Sequence, residues 1–516
     1  MFIVDDLVRS HGVDFVPASR EDGAVLMAYG YARLRGELGV ASVTFGPGLT
    51  NALTALTEVA RNETPILVLT GHFPVASASD AAAGAQFISH AEVIQPTGAT
   101  YVRVRSAETA VEDVVRAVQM ATIERRVVVL GVPIDLQEGE VVFPAGGVEL
   151  ASRSGPIQPW PDALERAVGI VATIRRPLIL AGWGAVGSGA RQELVELARR
   201  IGAPLATTLF ARDFFRGEYG DLGVFGTVSS DLASDVIGRS DCVIVFGASL
   251  NWWTTMGGDL LRGKALVRCD TDRASIGGDI QEDAFVLGDA ALVAAGMVAL
   301  LAELDHEPSN FLSPDLAADL ADYSRRSEVD DHSTSTTVDV RTAALRLDEI
   351  LPIERTVVCD LGRFMIAALR YVSVPDPTSF VLGMRFGSIG LGLGMAIGAA
   401  FARPEQPVVL FVGDGGLMMS LSELNTAVQH SLDLIVVVMN DGGYGAEYRH
   451  FVDRGMDPSL SLLSWPQFAQ LAEGFGAAGL TVTNLDELEA AAAAIEHRNG
   501  PMVIDIKIDP SHNIPF

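Results

Sequence analysis

Short apolar runs alternate with amphipathic stretches along the whole chain. The runs at 126–130, 177–181, 242–246, 408–412 and 434–439 are near-continuous blocks of apolar residues, the pattern of strands buried on both faces of a parallel sheet. Between them the apolar positions recur at helical spacing, as in Ala24-Val25-Leu26-Met27-Ala28-Tyr29-Gly30-Tyr31-Ala32-Arg33-Leu34. Alternation of the two patterns predicts an α/β chain of doubly wound parallel sheets. Pro- and polar-rich punctuation divides it into blocks at 1–150, 155–306 and 339–516, with 307–338 read as a linker. No short-period repeat is visible.

Composition changes this picture little. At 516 residues the chain is long enough for about three domains, and 49% hydrophobic residues with 52 glycines argue for several buried cores rather than disorder. A net charge of −28 argues against nucleic acid or an anionic membrane surface as partner. No apolar run reaches a membrane-spanning length, and the first residues have no signal-type core, so a cytoplasmic protein is expected. Cys242, Cys269 and Cys359 lack metal or redox spacing and read as buried small hydrophobes.

The chemistry concentrates in 413–443. Gly413-Asp414-Gly415-Gly416 follows one apolar run and Asn440-Asp441-Gly442-Gly443 follows the next. A strand-helix-strand unit of a parallel sheet sets its two strand ends side by side, so Asp414 and Asp441 are expected to meet. Two carboxylates beside a glycine turn suit Mg²⁺, which completes its octahedron with phosphate oxygens and water. Gly415 and Gly416 would let N–H groups at the helix start face an anion, at the strand ends where open α/β sheets bind ligands. Each half alone is equally an ordinary turn; the two at this spacing favour a metal and a phosphate.

This stretch resembles the diphosphate and metal motif of thiamine-diphosphate enzymes of the acetolactate synthase, pyruvate decarboxylase and benzoylformate decarboxylase superfamily. The resemblance implies three domains, which bind pyrimidine, stand in the centre, and bind diphosphate. It implies thiamine diphosphate and Mg²⁺ as cofactors, with the Asp414 and Asp441 side chains and the Gly443 carbonyl as metal ligands. Gly362, Gly413, Gly415, Gly416, Asn440, Tyr444, Gly445 and Ala446 would surround the cofactor. The family usually has Asn where Asp441 stands, so this site would carry one more negative charge.

A second set lies near the N-terminus. Ser19-Arg20-Glu21-Asp22 opens a helical pattern, and on the residues alone Glu21 and Asp22 could simply favour the helix dipole. On the family pattern Glu21 is the glutamate that hydrogen-bonds the aminopyrimidine ring, and Gly46-Pro47-Gly48 with Asn51 is the turn packed on the cofactor. Ile389 would prop thiamine in its bent form. Gln86 matches a pocket glutamine of the synthases and oxidases, although Phe87 replaces the glutamate that usually follows. Ala446 and Glu447 fall where relatives line the substrate pocket, Glu447 in register with a proton-transferring glutamate. Thr44 stands where benzoylformate decarboxylase has histidine. His72, His90 and His450 are further candidates, and Arg385 would either clamp a substrate carboxylate or pair with a neighbouring acid.

Gly182-Trp183-Gly184-Ala185-Val186-Gly187 satisfies a dinucleotide pattern, which alone is weak. The stretch 246–253 lacks the Arg- and Asp-rich continuation of FAD-binding synthases, so FAD is not expected, and Trp252 and Trp253 read as packing or interface residues. The expected activity is cleavage or ligation next to the carbonyl of a 2-oxoacid or 2-hydroxyketone. The resemblance implies a homodimer or homotetramer with Glu21 contributed by one chain and the metal ligands by its partner. Members of the family begin with a further helix and strand before the segment aligned here, so the N-terminal block is expected to be short, either because the start is truncated or because the site is more open. A thiamine-diphosphate-binding homologue without catalysis, and a flavin or nicotinamide oxidoreductase, are the alternative readings.

Overall fold

The apolar runs fold as buried strands because β-branched side chains pack on both faces of a pleated sheet. The computed structural model describes residues 2–74, 84–137, 139–141, 143–144, 146–151, 155–273 and 280–512. Its first sheet holds β1 (Gly39–Val43), β2 (Ile66–His72), β3 (Thr100–Arg103) and β4 (Val127–Pro133) in the order β1-β2-β4-β3. The second holds β5 (Pro177–Ala181), β6 (Leu205–Thr207), β7 (Asp221–Val224), β8 (Cys242–Phe246), β9 (Ala265–Asp270) and β10 (Ala284–Leu287), ordered β10-β9-β8-β5-β6-β7. The third holds β11 (Thr356–Cys359), β12 (Phe380–Leu382), β13 (Val408–Gly413), β14 (Leu434–Asn440), β15 (Ala478–Val482) and β16 (Met502–Lys507), ordered β12-β11-β13-β14-β16-β15. Every pairing between these strands is parallel. The three-sheet α/β expectation holds.

Two compact units emerge. One comprises 1–153, 332–368 and 378–514, the other 154–331 and 369–377. In the first unit a single apolar cluster runs from Val25, Leu56 and Val68 to Leu393, Leu410 and Val436, joining the first and third sheets. The helices Glu21–Arg35 and Gly392–Ala402 meet through glycine: a Cβ at Gly30 would lie 2.0 Å from the Met395 carbonyl oxygen, and one at Gly398 equally close to that of Met27. Any side chain there would push the helices apart.

In the second unit successive residues of β5 face opposite clusters. Ile179 and Ala181 join Leu194 and Met297, whereas Leu178 and Leu180 join Val236 and Leu266. The segment read as a linker carries the helix Pro314–Asp322, capped by Ser313 and opened by proline, whose Leu316 is buried in the second of these clusters. The polar cluster at 331–337 that suggested a linker lies beyond that helix, in backbone without helix or strand. All three cysteines are buried and unbridged, on β8, β9 and β11. Burial pushes the Cys242 thiol up to about 12 and raises that of Cys269 as well. No described helix is long and apolar enough to cross a membrane.

The third sheet has a switch point between β11 and β13, because the chain leaves β11 toward β12 and leaves β13 toward β14. Crevices at the carboxyl ends of such strands are where open α/β sheets take ligands.

Candidate functional site

Beside that point β13 runs into the helix Asp414–Ser420, and β14 lies directly alongside with Gly413 paired to Met439. The buried Asp414 carboxylate organises the corner. Its Oδ1 accepts from its own helix at Gly415 N, 2.7 Å, and its Oδ2 accepts from Gly442 N and Gly443 N, each at 2.9 Å. Asn440 Oδ1 accepts from the same Gly442 N at 3.1 Å, while its amide donates to Asp505 Oδ1 at 2.8 Å. The loop after β14 is thus drawn over Asp414, and Asp441 comes beside it.

Burial pushes the Asp414 acid up to about 6, against the pull of its backbone donors. Burial and then the neighbouring Asp414 push Asp441 up to about 7, and Arg363 only partly opposes this. Arg363 instead donates to the carbonyl oxygens of Pro510, at 2.8 Å, and His512. The corner therefore holds two crowded carboxylates short of positive charge. A divalent cation would supply it, and both carboxylates keep lone pairs for one. Among the described residues no three His, Cys, Asp or Glu gather as a metal group, so further ligands would come from backbone carbonyls, phosphate and water, which suits Mg²⁺. A cleft of ≈ 380 Å³ opens beside Asp441, bordered by Asn440, Gly442, Trp465 and Lys507. Tyr444 packs its ring over Gly415, and Gly445 opens the helix Gly445–Asp453 against Asp441 Oδ2. Ala446 and Glu447 are exposed on the first turn of that helix, with His450 exposed one turn on.

The N-terminal set also gathers. Glu21 is the first residue of its helix, and Asn51 Nδ2 donates to Glu21 Oε2 at 3.0 Å. A Cβ at Gly48 would lie 3.2 Å from Glu21 Oε1, and one at Gly46 would lie 2.3 Å from the carbonyl oxygen of Gln86. Glu21, the 46–48 turn with Pro47 at its centre, Asn51 and the Gln86 loop are therefore one corner. Among the described residues no hydrogen bond joins it to Asp414, Asp441 or Gly443.

Ile389 lies in a loop between Gly387 and Gly390, both in left-handed backbone, with φ of 82° and 84°. Gly362, at φ 153°, follows β11 at the switch point. Arg385 is exposed, its backbone N–H taken by Glu58 Oε1 at 3.0 Å. His72 Nδ1 lies 2.9 Å from the Phe73 carbonyl oxygen. His90 is buried, and burial first, then His72, holds its imidazole down to about 4, so it is neutral at physiological pH.

Residues 1–93 match the N-terminal TPP binding domain of thiamine pyrophosphate enzymes, 164–297 their central domain, and 360–506 their C-terminal TPP binding domain. The chain belongs to the thiamine pyrophosphate enzyme family. It is 27% identical to the acetolactate synthase isozyme 3 large subunit of Escherichia coli K12, over 99% of this chain and 91% of that protein. A probable acetolactate synthase large subunit of Methanocaldococcus jannaschii is also 27% identical, over 96% and 85%. So is a sulfoacetaldehyde acetyltransferase of Alcaligenes xylosoxydans, over 94% and 84%.

Three buried carboxylates of this thiamine pyrophosphate enzyme escaped the motif reading. Glu423 accepts from Ser19 N at 3.1 Å and Arg20 N at 2.8 Å, immediately before Glu21. Glu58 accepts from Arg385 N at 3.0 Å and Phe386 N at 2.7 Å. Asp360 accepts from Gly390 N at 2.8 Å and Leu391 N at 3.3 Å. The available signal was an acid inside an otherwise apolar run, as at Glu58 in 52–60 and Asp360 after 357–359.

Proposed function

We propose that the chain is a Mg²⁺- and thiamine-diphosphate-dependent enzyme that cleaves a 2-oxoacid next to its carbonyl and passes the acyl fragment to a proton or a second carbonyl. The observation that carries this is the crowded Asp414–Asp441 pair at the start of a glycine-opened helix. Asp414, Asp441 and the Gly443 carbonyl would hold the metal, and the Gly416 N–H at the helix start would face the diphosphate, the Gly415 N–H being taken by Asp414 Oδ1. When bound, thiamine diphosphate supplies the electron sink for the carbanion left by bond cleavage. Glu21 would hold a proton at the pyrimidine N1′, with Asn51 fixing its carboxylate. Ile389 would support the bent cofactor, and Gln86, Ala446 and Glu447 would bound the substrate, with Glu447 placed for proton transfer. Relatives named for acetolactate synthesis and acetyl transfer favour a small acyl donor.

On the family pattern Glu21 comes from one chain and the metal ligands from its partner, so the site is read as built between two copies. Calorimetric titration of thiamine diphosphate with Mg²⁺ tests the core of this reading, run on the wild type and on Asp414→Ala, with carbon dioxide release measured over a panel of 2-oxoacids. Binding confined to the wild type, with turnover of at least one acid, is expected; no binding to the wild type overturns it. Mixing inactive Glu21→Gln and Asp414→Ala chains tests the shared site, since exchanged dimers would regain one intact centre.

A further inference from the structure

The loop that bears Ile389 has little rigidity of its own. From Gly383 to Gly390 it contains no helix or strand, and glycines on both sides of Ile389 leave its backbone free to reorient. Yet a residue that shapes a cofactor must stand within a fraction of an ångström of its working place.

The structure supplies the missing rigidity from behind. Asp360, fully buried at the carboxyl end of β11, takes the two successive N–H groups of Gly390 and Leu391 on its two oxygens. It is wedged beneath the diphosphate-facing helix, because a Cβ at Gly416 would lie 2.7 Å from Asp360 Oδ2. Gly390 itself abuts the same helix, a Cβ there falling 2.8 Å from Met419 Cβ. At the loop's other end fully buried Glu58 takes the N–H groups of Arg385 and Phe386, and Arg61 donates to the Arg385 carbonyl at 3.0 Å. The loop is therefore gripped on both sides of Ile389, and on one side by a group that also touches the helix opened by Asp414.

We propose that Asp360 is a positioning residue that sets Ile389 against the cofactor relative to the helix Asp414–Ser420, with Glu58 bracing the far end of the same loop. This rests on the thiamine-diphosphate reading above. Asp360 does not touch the reacting atoms; it acts through the loop. Its replacement by Asn turns one acceptor into a donor that faces a backbone N–H, so the grip on Gly390 and Leu391 is halved while size is kept.

The test compares wild type, Asp360→Asn, Ile389→Ala and the double variant by cofactor titration and by deuterium exchange at the thiazolium C2 of cofactor bound to saturation. Asp360→Asn is expected to retain binding within about tenfold while exchange slows by about 10–100-fold, the scale of a misplacement near 1 Å. In the double variant the two losses should not add, because they share one route. Wild-type exchange in Asp360→Asn, or fully additive losses, overturns the proposal. Should Asp360→Asn fail to fold, Glu58→Gln is read in its place: slowed exchange with retained binding supports the proposal, and unchanged exchange overturns it. Absence of cofactor binding to the wild type would instead defeat the functional reading on which the proposal stands.

Discussion

Two glycine-rich turns follow parallel strands in this molecule, and they are used in opposite ways. After β5 the glycines are consumed by the protein itself. A Cβ at Gly182 would lie 2.2 Å from the Gly247 carbonyl oxygen, and one at Gly184 2.8 Å from the Gly247 Cα. The turn after β5 and the turn after β8 pack backbone to backbone. After β13 the space beside the turn is filled by polar groups: Asp360 Oδ2 under Gly416, the Tyr444 ring over Gly415, and the loop that carries Asp441. A glycine turn thus marks only a close approach. The neighbouring strand decides whether backbone or a charged loop fills it.

The widest separation between the two turns should appear in cofactor affinity. Asp414→Ala removes a ligand and strands the N–H groups of Gly442 and Gly443, and outer-shell partners alone are worth about 10–100-fold in metal sites. A loss of at least about 100-fold in Mg²⁺-dependent affinity is expected by calorimetry; a smaller loss would place the metal elsewhere. Glu21→Gln should leave affinity nearly intact and cut turnover by about 10²–10⁴-fold, measured as carbon dioxide release, and near-wild-type turnover would sink its role.

Gly184→Ala probes the other turn. Overpacking costs about 1–3 kcal/mol, to be read from urea unfolding of the second unit, with cofactor affinity unchanged. A drop in affinity would show that the two turns are not independent. A further difference lies in the pH dependence of stability. Burial holds Asp360 protonated up to about 6 in the folded chain, against 3.8 as its ordinary value. The folded state therefore binds more protons in that window, so its stabilising contribution is complete below about pH 4 and is lost as pH rises through about 6. That amounts to about 3 kcal/mol. Asp360→Asn should flatten this part of the stability profile in urea unfolding at stepped pH, and an unchanged slope would assign it to other acids.

The meeting of Asp414 and Asp441 was legible in the sequence because strand period, helix length and parallel topology are all local. The Glu21 helix start and the glycine turn at 46–48 were legible for the same reason. The grip of Glu423 on Ser19 and Arg20 spans 404 and 403 positions, and that of Glu58 on Arg385 spans 327. No spacing rule announces a carboxylate whose partners are backbone groups of a distant loop. The helix Pro314–Asp322 was missed because the polar cluster at 331–337 set the reading of the whole 307–338 segment, while the helix itself buries only Leu316 and Ala317.

The buried cysteines also matter for anyone who wishes to watch this protein work. With all three thiols buried in the sheets, and burial raising those of Cys242 and Cys269, maleimide or iodoacetamide dyes should leave the native chain unlabelled. A single cysteine introduced at exposed Ala446, on the first turn beside the metal loop, would then be the one reactive handle. A fluorophore there would report cofactor arrival and substrate entry without prior removal of the native thiols.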